Sequence, residues 1–129
     1  MTPASRIALA ACIAALAGCA QRPAPPPGLL DLAERPAEKA LLAGLRAYED
    51  AQYAEAEKQL QASLRAGLAS PKDRAAANKH LAFIYCTSHR VAECETAFKA
   101  ARRADAQFAL NRGEAGHPLW GPVYRRALP

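Results

Sequence analysis

No stretch of this sequence shows the strict apolar and polar alternation of a half-buried strand. No run of like charge occurs, and no apolar segment is long enough to cross a bilayer as a permanent helix. The spacings that carry common chemistry are missing too. There is no Gly-x-Ser-x-Gly elbow, no Gly-x-x-x-x-Gly-Lys phosphate loop and no Cys-x-x-Cys pair. His80, His89 and His117 make no metal-binding pattern and read as surface or turn residues. Glu93 and Glu95 stand two apart on a helix, point in different directions and form no acid and base couple. These absences argue against an enzyme and leave no catalytic residue, metal ligand or cofactor to nominate. With 129 residues the chain has room for one small domain and none for a large catalytic one. Lys and Arg number 17 against 12 acidic residues, a mild excess spread along the chain that reads as solvated surface and not as a nucleic-acid footprint.

What is present begins at the N-terminus. Arg6 is followed by an apolar segment from Ile7 to Ala15 and then by Leu16-Ala17-Gly18-Cys19. A short charged start and a short apolar core fit a cleaved leader better than a membrane span. The four residues resemble the lipobox of bacterial lipoproteins. The resemblance implies a signal peptide over 1–18, a diacylglyceryl thioether on the Cys19 sulfur, cleavage before Cys19 and acylation of the new amino terminus. An ordinary signal peptide cut after Ala17 or Gly18 is the alternative. Each buried methylene of an acyl chain contributes about 0.8 kcal/mol, so more than one chain makes a lasting anchor. Ala20 and Gln21 follow with no Asp, which by analogy with enterobacterial sorting implies an outer-membrane lipoprotein facing the periplasm.

Residues 19–35 then read as the acylated N-terminus and a proline-rich tether. Ala20 to Gly28 favours extended polyproline conformation and, at about 3.1 Å per residue, could hold the folded part up to about 28 Å from the bilayer. From Pro36 the pattern is helical: Leu41, Leu42, Leu45 and Tyr48 predict a helix to about Asp50. Tyr53, Ala56, Leu60 and Leu64 predict a second up to Gly67, with Ser70-Pro71 marking a restart. A third is expected from about Lys72 to Ser88 and a fourth from Val91 to about Ala104. Short connections force each pair antiparallel, so the domain over 36–129 is expected to be all-α, two stacked helical hairpins.

The hairpins repeat, with Tyr53, Ala56 and Leu60 lining up with Val91, Cys94 and Phe98 at an interval of 38 residues. Leu81, Ala82, Tyr85, Cys94, Phe98 and Ala101 are similar to the pattern of tetratricopeptide repeats, whose period is about 34. The first unit departs from that pattern by a turn one residue shorter between Tyr48 and Tyr53. Two repeats are few, so a C-terminal cap is expected from Phe108 to Leu128. In Gly116-His117-Pro118-Leu119-Trp120-Gly121-Pro122-Val123-Tyr124 the residues for it are Trp120 and Tyr124, which could instead form an exposed aromatic patch. The lipobox, Leu81-Ala82-Phe83-Ile84-Tyr85-Cys86 and this tail together resemble the TssQ-type lipoproteins associated with type VI secretion. That resemblance implies an accessory outer-membrane lipoprotein that binds protein partners in the periplasm, components of the secretion complex among them.

Tetratricopeptide domains line a concave groove with the first helix of each hairpin, and matching positions here are Lys39, Leu42, Arg46, Lys79 and Phe83. A basic groove with apolar islands suits a partner segment bearing carboxylates. Cys12 leaves with the leader, and Cys86 and Cys94 lie almost symmetrically about His89-Arg90, so a disulfide across the hairpin is expected, with two inert core thiols as the alternative. A second functional reading is an envelope assembly or maintenance factor holding a periplasmic client or a wall-linked protein.

Overall fold

The computed structural model describes residues 24–26 and 28–129, so the leader and the expected lipidation site Cys19 lie outside it. Among the described residues 71% are helical and none is in a strand. Helices α2 (Pro36–Glu49) and α3 (Tyr53–Ala66) form one antiparallel pair, and α4 (Pro71–Thr87) and α5 (Val91–Ala104) stack on it as a second. Their ends have local causes. Pro36 and Pro71 sit in first helical turns, where a missing N–H removes no bond. The Ser70 hydroxyl accepts from the Asp73 N–H at 3.2 Å, and Gly67 closes α3 at φ 89. Between the pairs, the Arg74 guanidinium donates to the Leu68 and Ala69 carbonyls, each at 2.8 Å, and pins the connection.

The two turns within the pairs are the same turn. Ala51 and His89 have φ 59 and 60, and the next residues, Gln52 and Arg90, have φ, ψ of −86, 64 and −89, 64. Gln52 N–H donates to the Ala47 carbonyl and Arg90 N–H to the Tyr85 carbonyl, both at 2.8 Å. The register is therefore 38 residues throughout, and the shorter first turn expected from the sequence is absent. Tyr48 corresponds to Cys86, Ala47 to Tyr85, and Gly44 to Ala82. A Cβ at Gly44 would stand 2.8 Å from Leu60 Cγ and 3.0 Å from Leu60 N, so the lack of a side chain sets how closely α2 and α3 approach.

The core runs through both pairs, with Ala56, Leu60, Ser63, Cys94, Phe98 and Ala101 fully buried along α3 and α5. Ser63 satisfies its hydroxyl by donating to the Leu60 carbonyl at 2.7 Å. Cys86 and Cys94 are bonded as a disulfide with Cα atoms 5.2 Å apart, tying α4 to α5. Closing eight residues this way stabilises by about 2.5 kcal/mol on a chain-entropy estimate. The Arg90 guanidinium links the pairs: it donates to both Glu57 oxygens at 2.9 Å and lies 4.3 Å over the Tyr85 ring.

Three further helices complete the described residues. Helix α1 (Leu29–Ala33) lies where the tether was expected and leaves Leu29 and Leu30 more than four-fifths exposed. Helices α6 (Arg112–Ala115) and α7 (Gly121–Ala127) belong to the C-terminal segment. Helix α7 packs on α5 much as α4 packs on α3, and the correspondence extends to charge. Glu57 takes Arg90 from the second pair, and its equivalent Glu95 takes Arg126 from α7 at 3.3 Å.

Candidate functional site

Helix α4 carries Lys79, His80 and Phe83 on the side that faces the C-terminal segment, and α2 brings Tyr48 beside them. The Tyr48 ring lies 5.1 Å from His80 and 6.5 Å from Phe83, measured between centroids. Over Phe83 lies Trp120, stacked at 4.2 Å, and on the other face of the indole lies His117 at 3.3 Å. Lys79 Nζ reaches Glu114 Oε1 at 2.7 Å, with both side chains 23% exposed. An imidazole, an indole and a phenyl ring thus form one stack with an ion pair beside it.

Electrostatics follow from this enclosure. Burial pushes the His80 pKa below its ordinary value, and neighbouring Lys79 adds to the effect; the Ala76 carbonyl, Glu114 and Glu49 pull the other way. His80 Nδ1 lies 2.8 Å from the Ala76 carbonyl oxygen, so that nitrogen carries the proton and donates. Burial alone would raise the Glu114 pKa, yet hydrogen bonds from Lys79 and from the Asn111 N–H bring it below the usual carboxylate range. Burial raises the Tyr48 pKa, and the neighbouring Tyr53 hydroxyl and Glu114 carboxylate raise it further.

Phe83 and Lys79 do not line an open groove: Phe83 is 4% exposed beneath Trp120, and Lys79 is paired. Lys39, Leu42 and Arg46 do not share their surface. In the 38-residue register Lys79 and Phe83 correspond to Leu41 and Leu45, which are buried or pack on the core, whereas Lys39, Leu42 and Arg46 form a separate exposed stripe on α2. Lys39 on that stripe pairs with Glu34 at 3.3 Å. His80 and His117 are likewise not plain surface residues; His89 does sit in a turn.

Trp120 and Tyr124 both pack against the core. The Tyr124 hydroxyl accepts from the Leu110 N–H at 3.2 Å, and its ring meets Phe98 at 5.3 Å and Phe108 at 6.4 Å. Glu114 went unnoticed in the sequence, although Asn111-x-x-Glu114 is a capping-box spacing that could have flagged it. Tyr48 and His80 gave no such signal, because what assembles them is the packing of α2 on α4.

Away from this surface, on the side of α4 opposite Phe83, lies an open hollow of about 350 Å³ between α4 and α5, floored by Leu81, Tyr85 and Ala97. Among the described residues no cluster of three His, Cys, Asp or Glu is placed to hold a metal, and no helix is long and apolar enough to cross a membrane. No protein-family model, curated protein or solved structure matches this chain.

Proposed function

We propose that this chain is a lipid-anchored docking protein of the bacterial envelope, with tetratricopeptide-like hairpins that bind another polypeptide and carry out no reaction. The observation that carries the reading is the recurrence of one turn geometry at a 38-residue interval, which supports taking the two helical pairs as repeats of one unit. Repeated hairpins of this kind present a row of first helices, a surface suited to an extended or helical partner segment. Tyr48, His80 and Phe83 gather on that side of the first helices, where the chain's own Trp120 already occupies Phe83 as a docked aromatic would. The lipobox-like Leu16-Ala17-Gly18-Cys19 supports a lipid anchor on Cys19, and Ala20-Gln21 with no Asp after it favours the outer membrane. Likeness of the lipobox and tail to TssQ-type lipoproteins favours an accessory role beside a type VI secretion machine.

Metabolic labelling with palmitate, followed by affinity capture from envelope membranes, tests both halves. The expected result is a labelled protein, unlabelled after Cys19→Ser, that retains baseplate or membrane-complex proteins of the secretion machine. Absence of label removes the anchor. Capture of barrel-assembly or cell-wall components instead would replace secretion by envelope maintenance as the role.

A further inference from the structure

The loop from Asn111 to Trp120 makes its hydrogen bonds mostly within the C-terminal segment. Glu114 N–H donates to Asn111 Oδ1 at 2.8 Å, and Asn111 N–H donates to Glu114 Oε2 at 3.1 Å. The Trp120 indole N–H donates to the Glu114 carbonyl at 2.8 Å, and Arg125 donates to the Ala115 carbonyl at 3.1 Å. Against the helices beneath, the loop offers contacts of another kind: the Lys79–Glu114 ion pair and the stack of Trp120 on Phe83. The chain on either side is fastened independently, by buried Phe108 and Leu110 before it and by buried Val123 and Ala127 after it. A loop touching the helices beneath mainly through Glu114 and Trp120 can lift from them when its bonds to α7, Arg125 to the Ala115 carbonyl and the Gly121 N–H to the His117 carbonyl, give way or turn with it.

We infer that Lys79 and Phe83 form a binding site for a partner peptide presenting a carboxylate and, six residues later, an aromatic ring, and that Glu114 and Trp120 are the chain's own occupant of that site. The self-docked segment defines the chemistry. Lys79 offers a partly enclosed ammonium, where a charge-assisted hydrogen bond outweighs one made in open water. Phe83 offers a flat ring whose face is bared when the indole leaves, and Tyr48 and His80 border it. The inference rests on the docking role only for the existence of a natural partner; the site itself can be tested without one.

The probe is a synthetic, end-blocked peptide of residues 111–122, titrated into full-length protein in detergent. Trp120→Ala, which bares the Phe83 half of the site, should bind it several-fold more tightly than the wild type does, since a stacked aromatic pair is worth up to about tenfold. Replacing the peptide's tryptophan by alanine, or its glutamate by glutamine, should each cost several-fold. Adding Lys79→Met to the Trp120→Ala protein should do the same. Hydrogen exchange on the unaltered protein gives a readout that needs no variant to fold: amides of 113–120 should exchange well before those of 123–127. A folded Trp120→Ala protein that binds no better than the wild type would overturn the inference, as would equal protection across the two stretches. Peptide binding with no envelope partner captured would sink the docking role and leave this site standing. Partner capture alongside a peptide that never binds would do the reverse.

Discussion

His80 is enclosed by Tyr48 and Phe83 and lies near Lys79, Glu114 and Glu49. Because its folded pKa is lowered from 6.5, the unfolded chain takes up the proton first as pH falls. Stability is therefore complete above about pH 6.5 and declines as pH drops through that value toward the folded pKa. The lowered carboxylates Glu95 and Glu114 lose their contribution only further down, below 4.5, so the two effects separate. Thermal melts between pH 7.5 and 5.5 should show a falling midpoint for the wild type and a flatter profile for His80→Gln. Equal slopes for the two proteins would exclude His80 as the source. None of this enclosure is legible at position 80 itself, because a lone histidine on a helix carries no mark of which rings will close around it.

At the scale of elements, both turns force a side chain into the left-handed region, Ala51 at φ 59 and His89 at φ 60. Glycine relieves that strain, so Ala51→Gly and His89→Gly should each stabilise by about 0.5–1 kcal/mol after the larger entropy of the unfolded chain is set against it. The double variant should come close to the sum, measured by urea unfolding, since the turns belong to different pairs. Destabilisation by either change would show that its side chain makes contacts worth more than the strain. Helices α2 to α5 were legible in the sequence because their apolar spacing, Pro36, Pro71 and Gly67 act locally. The register was not. Tyr48 and Tyr85 invite alignment as a matched pair, but the spatial equivalents are Tyr48 with Cys86 and Gly44 with Ala82, where small residues let paired helices approach. That slip of one residue misplaced the groove on α2. The bridge between Cys86 and Cys94 could be expected, since equal spacing about a short turn puts both at similar height.

Across the whole molecule, seven of the eight aromatic side chains, all but Tyr85, belong to one connected network from Tyr53 through Tyr48 and Phe83 to Trp120, and through Phe98 to Tyr124 and Phe108. Phe98 joins its two halves, Phe83 on one side and Tyr124 on the other, and is fully buried. Phe98→Ala should cost about 3–5 kcal/mol. Because Tyr124 on Phe98 joins α7 to the helical pairs, amide protection in α7 and helical circular dichroism should be lost together on heating, in the wild type and in this variant alike. Two separate transitions would show a cap that melts on its own. Positive charge is also distributed differently from the sequence expectation. Residues 99–129 hold six Lys and Arg against two acidic residues, while Lys79 and Lys39 on the first helices are paired with Glu114 and Glu34. The sequence indicated that a cap was needed, but only its folded position reveals that it also covers Phe83.

Helix α7 rests on α5 where the opening helix of one more hairpin would lie, and Arg126 on Glu95 completes the match. That seat being taken, a second molecule finds no vacancy there for head-to-tail growth. Head-to-tail stacking through this face would first require α7 to leave α5.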